Sequence, residues 1–339
     1  MIVSGEHLPS TEAFSDGVTF FYHGDLQYPL RSPTRPGSLG KLLASLKVQV
    51  VHAHNILPLG VHLLSEFRMA KDEGRLLLFH TSHSEWPDSQ WSEDRSLWDG
   101  MFAVSTYLKD QLQGLGVPTK VTRLPVNSQT FRAGVAPFEG PDVSLLHPSR
   151  LVEEKGCSLS LTLLEFLLGE GVKASLTMME TPRVFDISLQ ATAYTDEMRH
   201  RVARSGLSSR VKLMTASLKD MPKVYESSDI VLCPSIFPEP YGLAALEAMC
   251  CGRPVIASAV GGMRANIRHG ETGLLFEPGR VHDLHILAKD LIGQPDSARA
   301  LGRNARKYVV RHHSVYRFAK KMLGIYTSTM EEVLRRGQG

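Results

Sequence analysis

Short apolar runs alternate along most of this chain with stretches of helical period, and this alternation restricts its fold more than any other feature. In the first half, residues 48–55, 75–82, 101–105 and 120–126 read as short buried strands, with helical stretches at 60–73 and 107–114 between them. A second series places strands at 143–149, 173–179, 210–215, 230–234 and 254–259, and helices at 156–168, 195–204, 219–227 and 243–251. Strand and helix in turn predict parallel sheets with crossover helices, an α/β fold. Between the series, residues 133–142 (AGVAPFEGPD) are rich in Gly, Pro and Ala without periodicity and read as an interdomain linker. Near the end, Val315, Phe318, Ala319, Met322, Ile325, Tyr326 and Met330 fall at helical spacing, with Lys320, Lys321, Glu331 and Glu332 on the wet side. That pattern fits a helix closing the second domain as well as one reaching back to the first.

Composition excludes several classes. The 339 residues suffice for two domains, and 42% hydrophobic with 22% charged residues is ordinary for a globular protein. A formal net charge of +3 gives no argument for nucleic acid. The four cysteines, Cys157, Cys233, Cys250 and Cys251, show neither disulfide nor C-x2-C metal spacing, which points to a reducing, cytoplasmic setting. No apolar run approaches a membrane span, and the start lacks a signal-peptide pattern. The fourteen histidines include no H-E-x-x-H and no ligand-spaced cluster, so no metal is expected. A dehydrogenase would need G-x-G-x-x-G after an early strand, and none occurs.

The chemistry concentrates in residues 238–252, PEPYGLAALEAMCCG. A Pro-bracketed turn follows the strand-like run 229–235 and enters a short apolar helix. Gly242 stands where that helix begins, so Leu243 and its neighbours can offer unpaired N–H donors to a phosphate. Glu239 on the turn and Glu247 within the helix can accept hydrogen bonds from sugar hydroxyls. In HPSRLVEEKG, Arg150 and Lys155 sit between a strand end and a helix start, where ligands of open α/β sheets bind, and together they suit a diphosphate.

Glu239 and Glu247 in E-x7-E spacing, followed by GRPVIAS (252–258) and VGG (260–262), together with RLVEEKG (150–156), resemble the donor-site signature of the family-4 retaining glycosyltransferases. The resemblance runs from about residue 48 to the C-terminus. It implies the GT-B fold, two Rossmann-like domains facing across a cleft: residues 1–132 on the acceptor side, linker 133–142, donor domain 143–313, and a terminal helix 314–339 crossing back to the first domain. It further implies a metal-independent, hexosyltransferase-like enzyme that moves a sugar from a UDP- or GDP-sugar to the hydroxyl of a small-molecule, glycan or lipid-linked acceptor. No other cofactor is implied, and peripheral membrane contact is compatible with it.

By that resemblance Arg150, Lys155, Tyr241, Gly242, Leu243 and Glu247 bind the donor, Glu239 contacts the transferred sugar, and His80 in LLLFHTS matches the catalytic histidine segment. His52 and His54 sit at another strand end and are candidates for the acceptor side; His83 matches less well. The chain also departs from the pattern. Residues 1–16 read as polar and turn-like, the first convincing strand is 18–23, and no Gly-Gly pair precedes Val260, so the N-terminal domain is expected to be shortened. Either the start lies upstream of Met1 or the first strand and loop have been lost. The alternative function is a GT-B protein that binds nucleotide without transfer. Residues 178–185 (MMETPRVF) lack the family's glycines, leaving Thr181 or Arg183 to approach the donor, and Arg264 and Ala265 replace the usual Pro-Glu pair.

Overall fold

The computed structural model describes residues 2–3, 12–15, 18–22, 38–45, 47–54, 61–72, 76–84, 95–114, 119–180 and 189–336. Its contacts divide into two units, one of residues 1–104, 108–121 and 323–339, the other of 105–107 and 122–322.

The first unit opens with strands β1 (Ile2–Val3), β2 (Glu12–Ser15) and β3 (Val18–Tyr22) in the order β1-β3-β2, with β2 antiparallel to β3. The expectation of a strandless start is therefore corrected: the alternating EAFS run pairs with the apolar VTFFY run. Helix α1 (Ser38–Ser45), β4 (Val50–His54), α2 (Val61–Asp72), β5 (Leu77–Ser82), β6 (Gly100–Ala103), α3 (Thr106–Gly114) and β7 (Lys120–Val121) follow. The four strands β4-β5-β6-β7 form an all-parallel sheet. Every residue of β5 is buried, as expected of a parallel strand covered on both faces. The start of β5 is held by Asp99, which accepts the Leu78 N–H at 2.8 Å and pairs with Lys71 at 3.1 Å.

The second unit holds β8 (Val143–His147), α4 (Cys157–Gly169), β9 (Ala174–Met179), α5 (Leu189–Arg204), β10 (Val211–Met214), α6 (Met221–Glu226), β11 (Ile230–Cys233), α7 (Leu243–Cys250), β12 (Val255–Ser258), α8 (Met263–Asn266), β13 (Leu274–Phe276), α9 (Val281–Gly293) and α10 (Pro295–His312). Its six parallel strands run β10-β9-β8-β11-β12-β13. Counted from β8, that is the order 3-2-1-4-5-6 of doubly wound nucleotide-binding sheets, whose direction reverses between β8 and β11. Leu145, Leu161, Leu164, Leu176, Ile230, Leu232 and Ile256 fill the core, each about 1.5–3 kcal/mol of apolar burial. Helices α9 and α10 and strand β13 were not foreseen in the sequence. The α10 stripe is Ala298, Leu301, Gly302, Ala305 and Val309, too small in side-chain volume to stand out as an apolar face.

Residues 133–142 lie within the second unit rather than between units, and are fastened there by side chains. Glu226 accepts the Val135 N–H at 3.1 Å and Asp229 the Phe138 N–H at 2.5 Å. Arg253 donates to the Val135 carbonyl, and Arg299 to the carbonyls of Pro137 (3.0 Å) and Phe138 (2.9 Å). A segment without periodic backbone bonds must find polar partners, and here charged side chains supply them. The last helix, α11 (Val315–Arg336), begins in the second unit, and from Leu323 onward it groups with the first. There Tyr326 Oη meets His52 Nδ1 at 2.5 Å. Among the described residues, no helix is long and apolar enough to cross a membrane.

Candidate functional site

The loops after β8 and β11 meet at the point where the second sheet reverses direction. Glu154 joins them: its carbonyl accepts both the Ile236 N–H and the Ser235 hydroxyl at 2.9 Å. Gly156 stands between them with φ 69°, and a Cβ there would run into the Pro234 carbonyl. Only glycine satisfies both the left-handed backbone and the close approach. Across this junction the Lys155 ammonium pairs with the Glu239 carboxylate, both largely shielded. Arg150 lies on the same loop and is exposed.

Two helices start at this junction, α4 after Gly156 and α7 after Gly242 (φ 84°), and in neither does a cap side chain occupy the first N–H groups. Free N–H donors and the positive ends of two helix dipoles therefore accompany Lys155 and Arg150. Leu243, the first residue of α7, is 39% exposed. One turn on, half-buried Glu247 accepts a hydrogen bond from the fully buried Tyr225 hydroxyl at 2.9 Å. Burial pushes the Glu247 carboxyl up to about 6, and the Tyr225 bond opposes the rise.

The glycine pair of the third loop holds this turn in place. The Gly262 N–H donates to the Glu239 carbonyl at 2.6 Å, and the Asn266 side-chain amide donates to the Tyr241 carbonyl at 2.7 Å. A Cβ on Gly262 would lie 2.6 Å from the Pro240 carbonyl oxygen and 2.7 Å from Tyr241 Cα. Behind the first loop, buried Cys157 reaches the carbonyls of Val152 (3.4 Å) and Arg150 (3.6 Å) and touches His147 Nε2 at 3.4 Å, while His147 Nδ1 meets Ser160 at 2.9 Å. Burial pushes the thiol up to about 12, so it stays protonated and holds the loop as a weak donor. Tyr225, Asn266 and the His147–Cys157 pair were not foreseen. Tyr225 and Asn266 are remote in sequence from the groups they support, and the His147–Cys157 pair is buried behind its loop.

The structure thus gathers Arg150, Lys155, Glu239 and Gly242 on adjoining loops, with Leu243 and Glu247 on the helix α7 that follows. Tyr241 differs in its side chain, which is buried, with its hydroxyl donating to the Leu124 carbonyl (2.9 Å) and meeting His313 Nδ1 (2.8 Å); only its backbone faces the turn. His80 also differs from expectation. Strand β5 runs on to Ser82, so His80 is interior to it, wholly buried against Trp98. Burial, with His52, His54 and His83 nearby, holds its imidazole at about 3. His52 and His54 stack at 4.5 Å, and His54 Nδ1 meets His83 Nε2 at 2.8 Å, so His83 joins this cluster despite its poorer match. Arg264 donates to the Ala259 carbonyl and, like Ala265, is exposed; both serve the loop rather than the site. Thr181 and Arg183 lie outside the described residues.

Comparison with known proteins agrees with this architecture. Residues 129–308 match the family described as Glycosyl transferases group 1, and residues 4–126 match Glycosyltransferase Family 4. D-inositol 3-phosphate glycosyltransferase of Rhodococcus opacus is 30% identical over 181 residues, covering 53% of this chain and 36% of that relative. The match thus spans little more than a third of that relative's length. An uncharacterized glycosyltransferase of Methanocaldococcus jannaschii is 28% identical over 201 residues, covering 59% of this chain and 48% of its own. Among solved structures, sucrose-phosphate synthase from Thermosynechococcus elongatus superposes with TM-score 0.75 at 19% identity, over 96% of this chain and 87% of that one. Anabaena HepE, solved in complex with UDP and glucose, gives 0.69 at 20% identity, over 87% and 84%. These neighbours establish a GT-B fold of two parallel-sheet units. With more than half its length matched, the chain belongs to the glycosyl transferases of group 1.

Proposed function

We propose that this glycosyltransferase takes its sugar from a nucleoside-diphosphate donor, a UDP- or GDP-sugar, and passes it to an acceptor hydroxyl with retention at the anomeric carbon. The observation that carries the reading is the meeting of Arg150, Lys155 and two uncapped helix N-termini where the 3-2-1-4-5-6 sheet reverses. Such groups stabilise the charge that builds on a departing diphosphate, the kind of electrostatic preorganisation that usually dominates catalysis. In the reaction the anomeric C–O bond to the diphosphate breaks. The acceptor oxygen bonds the same face, and its proton passes to a diphosphate oxygen. Glu247 would accept the nucleoside ribose hydroxyls and Glu239 a hydroxyl of the transferred sugar.

No further cofactor or metal enters this scheme, because cations and helix ends carry the phosphate charge. We place the enzyme in the cytoplasm, where nucleotide sugars and reduced cysteines would coexist. A solved fold neighbour holding UDP supports the donor class. A second reading, nucleotide binding without transfer, is favoured by one observation: His80, the catalytic candidate, is wholly buried. Thermal-shift screening of UDP-, GDP- and ADP-sugars, followed by assays for transfer and donor hydrolysis, separates the two. Stabilisation by a nucleotide sugar with neither reaction would favour the second reading, and no stabilisation by any of them would remove the donor site.

A further inference from the structure

The second unit carries a corner where several cations collect. Helix α10 ends there at His312, and α11 begins at Val315. Residues 123–126 run alongside: the Val126 N–H donates to the His313 carbonyl at 2.7 Å, Val126 and Ser314 form a parallel bridge, and the Tyr241 hydroxyl ties Leu124 to His313. This packing brings the segment that carries Arg123 alongside the end of α10, where Arg311 and His312 lie. Arg317 is carried on the first turn of α11, its N–H donating to Ser314 Oγ at 3.2 Å. The Arg268 guanidinium lies over the Tyr308 ring at 5.0 Å, and that ring packs on His312 at 4.8 Å. All four arginines are exposed, whereas Tyr308 and His312 are half-buried. After burial, the charges of Arg311, Arg123, Arg268 and Arg317 hold the His312 imidazole below its ordinary value.

Part of this cluster has an ordinary structural cause. Arg311 and His312 sit in the last turn of α10, where cations suit the helix dipole, and Arg268 has Glu271 at 3.6 Å, an exposed pair of little worth. Neither cause covers Arg123. Arg317 is placed against its helix, since positive charge in a first turn opposes the dipole. Like charges held together at a cost, over a fixed aromatic floor, suit an anion that would neutralise them. Guanidinium forks match phosphate oxygens in pairs.

We propose that this corner is an anion-binding site for a phosphate-class group, a monoester or diphosphate, held by Arg268 and Arg311 with Arg123 and Arg317 adding charge. None of the side chains assigned to the donor diphosphate takes part. The test titrates inorganic pyrophosphate into the full chain by calorimetry at low salt, and floats the chain with phosphatidylcholine vesicles containing or lacking phosphatidic acid. Pyrophosphate binding should survive Lys155→Ala, weaken with salt, and fall about tenfold or more in Arg268→Gln/Arg311→Gln, the loss expected for one charge-assisted hydrogen bond. Arg123→Gln/Arg317→Gln provides a second, independent surface variant, and melting temperatures within a degree or so of the parent's would show that both are folded. Recruitment that needs phosphatidic acid and is lost in the same variants would assign the phosphate to a lipid headgroup; loss of pyrophosphate binding without recruitment would assign it to a soluble ligand. The proposal is overturned if neither ligand binds, if binding is unchanged in both arginine variants, or if it vanishes in Lys155→Ala alone.

Discussion

Lys155 is paired with Glu239 before any donor arrives, so an incoming diphosphate must share or displace that carboxylate. Removing the cation by Lys155→Ala should lower kcat/KM about ten- to a hundredfold, the worth of one charge-assisted hydrogen bond, and Arg150→Ala should act alike. Near-normal turnover in both would retire the phosphate assignment. Glu247 carries a pH signature. Its folded value is raised from 4.5 to about 6, so the folded chain holds this proton more tightly than the unfolded one. The burial cost is absent below pH 4.5, grows as pH rises toward 6, and is complete above it. Glu247→Gln should therefore stabilise the chain by up to about 2 kcal/mol at pH 7.5 and by nothing at pH 4, as read by urea unfolding. The two carboxylates should also divide their labour. Glu247→Ala should weaken calorimetric binding of free nucleoside diphosphate, whereas Glu239→Ala should spare it and slow transfer; equal losses would refute the division. These residues were legible because they lie in short motifs beside strand ends. Tyr225 and Cys157 were not, since their contacts join positions distant in sequence or buried behind a loop. His80 was misplaced although its strand was read to the last residue, Ser82, because an apolar run does not announce which of its side chains a neighbour such as Trp98 will cover.

Among the elements, the strand–turn–helix units of the second sheet could be read almost throughout, because their apolar runs stand out and, in β8–α4 and β11–α7, a glycine marks the helix start. The expected strand at 254–259 became β12 (Val255–Ser258), and the expected helix at 243–251 became α7 (Leu243–Cys250). Helix α10 escaped because its buried face uses Ala and Gly more than Leu. The V-G-G loop shows why its glycines matter: they let two backbones touch. Gly262→Ala would push a methyl against Pro240 and Tyr241, at an overpacking cost of about 1–3 kcal/mol, and should displace the Glu239 turn and depress turnover. Gly169→Ala, in α4 with no atom within 4 Å of the added Cβ, is the matched control and should be neutral or slightly stabilising. If both variants behave alike in melting temperature and rate, the close approach has no role in holding the site.

Across the whole molecule, the sequence conveyed two α/β units but drew their boundary in the wrong currency. Residues 133–142 have linker composition, yet Asp229, Glu226, Arg253 and Arg299 bind their backbone to the second unit, and the contact division falls at Val121 and Thr122. Composition reports the lack of periodicity, not which distant side chains will satisfy the amides. Every residue assigned to the donor lies within 122–322, whereas the catalytic candidate His80 does not, so nucleoside diphosphate should stabilise that unit first. At about 100 times its dissociation constant, a ligand adds roughly 2.7 kcal/mol to whatever it binds. Hydrogen exchange should therefore slow in peptides covering residues 148–156, 234–250 and 259–266, about a hundredfold where opening exposes the site, and stay unchanged across 48–54 and 76–84. The effect should persist in EDTA, since cations and helix ends, rather than a metal, are assigned to the phosphates. Protection that appears first in the strands of the first unit, or only when magnesium or manganese is present, would mean that the loops after β8 and β11 do not hold the diphosphate on their own.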